Sequence, residues 1–188
     1  MQGLTFIEPL AWPQVWDFWR HNEDQPDSHW IEVWRSKGFL SWADWRRHTH
    51  ANLLEAMRTK PMSWGLYLID NPLEMVPTFL GGPFRAWKEQ HYGDEDTLTF
   101  AELAQMRKVQ QQPFILDLAE NFPLRTTITA IQDSEGIKVV EGMHRSCALA
   151  LRAFANDPLP ADTQVQLILA PWPDTLLPAL GNTKDQHR

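Results

Sequence analysis

The chain has 188 residues, 43% hydrophobic and 22% charged, with a net charge of −7. These figures fit one globular domain, or one domain with a sizeable extension, and exclude wholesale disorder. The acidic balance, with a pI near 5.4, argues against broad electrostatic binding to duplex DNA, which needs a basic face.

The N-terminal stretch MQGLTFIEPLAWPQVW lacks the basic start and apolar core of a signal peptide. No apolar run approaches the ~20 residues of a membrane span, so no membrane partner is expected. Seven of the ten tryptophans fall between Trp12 and Trp45. Trp12, Trp16 and Trp19 are spaced i, i+4, i+7, which is one helical face. After the polar loop Arg20 to His29, Trp30 and Trp34 repeat the i, i+4 step, and Gly38 closes that piece. SWAD, Ser41 to Asp44, resembles a capping box and opens a helix of roughly Trp42 to Arg58, which Pro61 stops. MSWGLYLID, Met62 to Asp70, reads as a strand, and NPLE, Asn71 to Glu74, as a helix start. PFRAWKEQHY, Pro83 to Tyr92, reads as a helical turn or two. TFAE, Thr99 to Glu102, is a full capping box with a helix running to about Gln110. PFILDLAENF, Pro113 to Phe122, is a further short helix.

The texture then changes. RTTITAIQD, Arg125 to Asp133, and IKVV, Ile137 to Val140, are β-branched runs joined by the turn DSEG, and so form a hairpin. A helix from about His144 to Phe154 follows, then a loop and a third strand, Gln164 to Ala170. A short helical stretch is expected after Pro173.

The junction EGMHRS, Glu141 to Ser146, is the candidate site. The first N–H groups of a helix lack intrahelical partners and, with the helix dipole, favour anions. His144 and Arg145 place two potential cations at a position where the dipole disfavours them, by about 0.3–1 kcal/mol each when exposed. A bound anion reverses that sign. Gly142 permits close approach to the backbone, and the Arg145 guanidinium is a planar fork suited to phosphate or carboxylate. Removing Arg145 is then expected to weaken ligand binding and leave the apo fold intact. The competing reading is that Arg145 pairs with Glu141 and that His144 is a satisfied, partly buried histidine.

VVEGMHRSCALAL resembles the ParB/sulfiredoxin superfamily signature, in which a strand ends in an acid-Gly or Gly-Gly pair and His-Arg or Arg-Arg opens an Ala/Leu-rich helix. The flanking strands sit where that family has them, and the resemblance spans Phe114 to Ala170. It implies a small α/β domain that binds nucleotide phosphates at this helix start, with Gly142, Met143, His144, Arg145 and Ser146 around the ligand. It also implies a nucleotide such as ATP or CTP. Members include CTP-binding chromosome-partitioning proteins, an ATP-using peroxiredoxin-repair enzyme, small-molecule kinases and nucleases. Two departures matter. Met143 stands where sulfiredoxin has its cysteine, and Cys147 is in register with Leu151 and Phe154, as a core residue would be. No basic helix-turn-helix segment follows the helix, which argues against a ParB-like nuclease or DNA-binding protein.

Among other residues, Glu141 is a candidate general base or Mg²⁺ ligand. Arg125 is a candidate second contact, and Arg85, Lys88 and His91 offer further phosphate-reaching groups. His48 and His50 are i, i+2 on a helix and do not share a face, so no zinc is expected there. The expected fold is α+β. A Trp-rich, mainly helical part, residues 1–112, packs on a small mixed-sheet ParB/sulfiredoxin-like core, residues 113–188. The expected function is binding of a phosphate-bearing small molecule in the cytoplasm, by a small-molecule kinase or phosphohydrolase. The alternative is a noncatalytic nucleotide-responsive module with a protein partner on its Trp-rich part. A second carboxylate facing Glu141 favours the enzyme, and an exposed aromatic patch favours the module.

Overall fold

The computed structural model describes residues 2–26, 28–59, 62–172 and 178–180. It is α+β, built on one six-stranded mixed sheet of order β1-β2-β6-β4-β5-β3. The strands are β1 (Leu4–Leu10), β2 (Trp64–Ile69), β3 (Leu80–Gly81), β4 (Arg125–Gln132), β5 (Ile137–Glu141) and β6 (Gln164–Pro171). β4 runs parallel to β6 and antiparallel to β5, so the expected hairpin forms. The first 112 residues contribute three strands to this same sheet.

Strand alternation divides the core. Val165, Leu167 and Leu169 point into one apolar cluster, Ile168 and Ala170 into the other, and Val139 and Val140 separate the same way. A sheet buried on both faces is covered by two helical layers. One layer holds α1 (Trp12–Glu23), α2 (His29–Ser36), α3 (Trp42–Thr49) and α4 (Ala51–Thr59). The other holds α5 (Pro72–Met75), α6 (Arg85–Trp87), α7 (Phe100–Gln105), α8 (Arg107–Gln110), α9 (Pro113–Glu120) and α10 (Met143–Ala155). The tryptophan stripes are mostly the first layer's core: Trp19, Trp34, Trp42, Trp45 and Trp64 are buried. Each such ring removes about 150–250 Å² from water, worth about 4–6 kcal/mol at ~25 cal/mol per Å². Trp19 is also pinned, since its Nε1–H donates to Thr129 Oγ1 on β4 at 2.8 Å.

Three local expectations need correction. β1 is a strand that the sequence did not announce: it is an edge strand with five consecutive exposed residues, so it shows no alternation. The helix expected from Trp42 to Arg58 is two helices. His50 leaves helical geometry (φ −115°, ψ 17°) and turns its ring into the core, with Nε2 3.1 Å from the Val140 carbonyl. The helix expected to reach Gln110 breaks at Met106, which is extended (φ −78°, ψ 128°). The TFAE capping box is complete, with Thr99 Oγ1 accepting from Glu102 N at 3.2 Å and Glu102 Oε2 from Thr99 N at 2.8 Å, whereas SWAD forms only the first half, Ser41 Oγ accepting from Asp44 N at 3.1 Å. Pro61 as a helix stop and the helical stretch after Pro173 lie outside the described residues. Among those residues no helix is long and apolar enough to cross a membrane.

Candidate functional site

The chain passes from β5 into α10 through Gly142, as the sequence predicts. Its φ is +98°, in the left-handed region, and an added Cβ would meet Arg145 Nη2 at 3.3 Å and Ile128 Cγ1 at 3.4 Å. A glycine N-cap offers no side-chain acceptor, so no side chain caps the first N–H groups of α10. The helix ends on Asn156 in the left-handed conformation (φ 54°), a common helix stop.

This turn forms one wall of a cavity of about 610 Å³. Glu141, Gly142, Met143, His144 and Arg145 all line it. The opposite walls come from distant segments: α1 and its following loop, Trp30 of α2, Trp45 and Arg46 of α3, Trp87 of α6 and Phe114 of α9. Ser146 does not line it. Its hydroxyl donates back to the Gly142 carbonyl at 3.0 Å, leaving its backbone N–H inside the helix ladder. Arg125 is exposed at the far end of β4, four residues before the Thr129 that pairs with Glu141, and it does not line the cavity. Of the connector residues, Lys88 pairs with Asp96, while the His91 ring packs on Trp87 at 4.9 Å.

The electrostatics differ from two exposed cations at a helix start. Arg145 is buried: its Nη2 donates to Glu141 in an i, i+4 ion pair and to the Thr127 carbonyl at 3.2 Å. The other Glu141 oxygen accepts from Asn22 Nδ2 at 3.4 Å. His144 is ringed by Trp30, Trp87 and Phe114, with centroids at 5.4, 5.4 and 5.3 Å. Burial lowers its pKa to about 3, and Arg145, His29, Arg46 and His91 push the same way. His144 is therefore a neutral imidazole near pH 7, and the expectation of a second charge there is corrected.

A second buried pair lies beside the first. Glu23, at the end of α1, accepts from Arg46 through both guanidinium contacts and from Trp42 Nε1 at 2.8 Å. The Arg46 guanidinium lies over the Trp45 ring, 4.3 Å from its centroid. Burial raises the Glu141 pKa above the ordinary carboxylate value, and Glu23 adds to this while Arg145 and Arg46 oppose it. Two carboxylates and two guanidiniums thus share one low-dielectric cluster, and Lys37 adds a third cation on the lining.

Compared with protein-family models, curated proteins and solved structures, the chain matches none.

Two donors on the lining residues lack acceptors. Arg145 Nε and Trp45 Nε1 are both buried without a hydrogen-bond partner, and both groups can only donate. A buried donor left unmet costs about 1–3 kcal/mol. Metal binding is less well served. Both Glu141 oxygens are engaged, and among the described residues no group of three His, Cys, Asp or Glu side chains could hold a metal ion. Cys147 is sealed in the core, where burial pushes its thiol pKa well up.

Sequence reasoning missed Glu23, Arg46, Trp45, Trp87 and Phe114 as site residues. The one local signal was Glu23, a carboxylate at the C-terminal end of α1, where the dipole disfavours it. An acid in that place needs a cation from elsewhere.

Proposed function

We propose that this chain binds a phosphate-bearing small molecule in the cavity at Glu141 to Arg145. The observation that carries the reading is the donor surplus. Arg145 and Trp45, residues of the lining, each hold a buried donor without an acceptor, beside the uncapped first turn of α10 and three cations against two carboxylates. A ligand rich in acceptors, with negative charge, complements that set. The volume suits a small molecule of nucleotide size. The resemblance to ParB/sulfiredoxin proteins suggests a nucleotide such as ATP or CTP.

An enzyme is favoured over a protein-interaction module by two features. Glu23 supplies a second carboxylate close enough to perturb Glu141. None of the exposed large apolar side chains among the described residues (Phe6, Ile7, Leu40, Leu116, Leu124 and Phe154) is a tryptophan, so the tryptophan stripes are not themselves a docking surface. In this reading, the anion takes up donor capacity of Arg145, and Glu141, relieved of its partner, accepts a proton from the attacking group as general base. The reaction class is phosphoryl transfer: the attacking oxygen of a small molecule or water, its proton passing to Glu141, bonds to phosphorus as the phosphorus–oxygen bond to the rest of the ligand breaks and that remainder leaves.

A thermal-shift screen of ATP, CTP and tripolyphosphate, each with and without Mg²⁺, tests the reading. Ligand at 100 times its Kd stabilises by about 2.7 kcal/mol, which for a chain of this length raises Tm by about 5–10 °C. No shift with any of these up to millimolar concentration overturns it.

A further inference from the structure

We propose that the anion site continues into a ring subsite on the cavity wall formed by Trp30, Phe114 and Trp87 around the His144 ring. Its ligand therefore carries a flat, uncharged ring next to its anionic group. This rests on the phosphate-binding reading above and narrows it.

The three rings come from α2, α9 and α6, far apart in the chain, yet all line the same cavity. Trp30 and Phe114 meet each other at 5.8 Å, edge to face, and Trp87 meets His91 at 4.9 Å. Among the described residues, His144 links the two groups, and each ring touches it. His144 is the second residue of α10, so ring surface begins one residue from the uncapped N–H groups. A ligand with a ring and an anion a short linker apart spans both. Unlike Trp19 and Trp42, which are sealed in the core, Trp30, Trp87 and Phe114 are only half-buried.

Charge selects among ring-bearing ligands. Aromatic walls also attract cations, but Arg46, Arg145 and Lys37 on the same lining repel them. The pKa of His144 is lowered first by burial, and Arg145 and Arg46 add to that in the same direction. A neutral π-face that stacks without hydrogen-bond readout meets no such penalty. Two sources share this chemistry: a nucleoside phosphate and an aromatic carboxylate.

Calorimetric titration of the wild-type protein with AMP, CMP, ribose 5-phosphate and indole-3-acetate distinguishes the outcomes. AMP or CMP binding at least about tenfold tighter than ribose 5-phosphate, which matches their charge but lacks a base, supports the ring subsite. Trp87→Leu or Trp30→Leu should then erase that margin while leaving ribose 5-phosphate affinity unchanged. Indole-3-acetate binding that weakens in Trp87→Leu, with no monophosphate binding, supports the ring subsite and replaces phosphate by carboxylate. Equal affinity for ribose 5-phosphate and both nucleotides overturns the ring subsite and leaves the anion site standing. A margin that neither tryptophan variant narrows also overturns it. If none of the four binds, both readings fall.

Discussion

Breaking the Arg145–Glu141 pair should destabilise the fold, contrary to what an exposed helix-start arginine would do. The side chains of Arg145 and Glu141 are 11% and 1% exposed. Arg145→Ala leaves a carboxylate buried without its main partner, and losing one member of a buried pair costs about 3–5 kcal/mol. Glu141 limits that cost by taking a proton. Its pKa is already raised by burial and by Glu23, and the variant removes the largest opposing influence. A carboxyl raised above its unfolded value of 4.5 contributes full stability below that value and loses it as pH rises through the folded pKa. The deficit of Arg145→Ala should therefore be small at pH 5 and grow towards pH 8. Removing both charges in Arg145→Met/Glu141→Gln should fall within about 1 kcal/mol of wild type, because replacing a whole buried pair is close to neutral. Urea unfolding followed by tryptophan fluorescence gives all four corners of the cycle at each pH. A deficit under about 1 kcal/mol at pH 8, or additive single variants, would refute the buried-pair account.

Other consequences are as direct. His50, like His144, is held near pKa 3, by burial first and Arg46 second, so neither ring should titrate between pH 8 and 5 in NMR of the imidazole protons. Both depressed values mean stability that is present above 6.5 and lost as pH falls towards 3, by up to about 1.4 kcal/mol per unit for each ring. Gly142→Ala should destabilise by about 1–2 kcal/mol, since alanine is strained at φ +98°; an unchanged urea midpoint would contradict this. Cys147 should react with a thiol reagent only after unfolding, because its thiol is buried and its pKa raised.

What the sequence revealed was what its local order encodes. The β4–β5 hairpin and α10 were legible because a β-branched run, a turn and a helical period follow one another within thirty residues. The α1 stripe was legible because Trp12, Trp16 and Trp19 carry the helical period themselves. β1 was hidden because both faces of this edge strand are largely solvated, as the consecutive exposed residues Phe6 and Ile7 show, so no buried set alternates along it. The break at His50 was hidden because its cause is a carbonyl 90 residues away, on Val140. The site divided the same way. Glu141 to Arg145 could be read as a strand-to-helix turn, and their pairing was one of two open alternatives. The proposed ring subsite and the Glu23–Arg46 pair assemble from five helices, and no spacing along the chain records that meeting.

The proposed anion site lies on the first turn of α10. A ¹⁵N amide NMR titration of the protein with CTP, repeated with ATP, reads that turn directly. The largest shifts should fall on the amides of Gly142 to Ser146, with smaller ones at Trp30 and Trp87. Shifts centred elsewhere, or none at millimolar nucleotide, would contradict it.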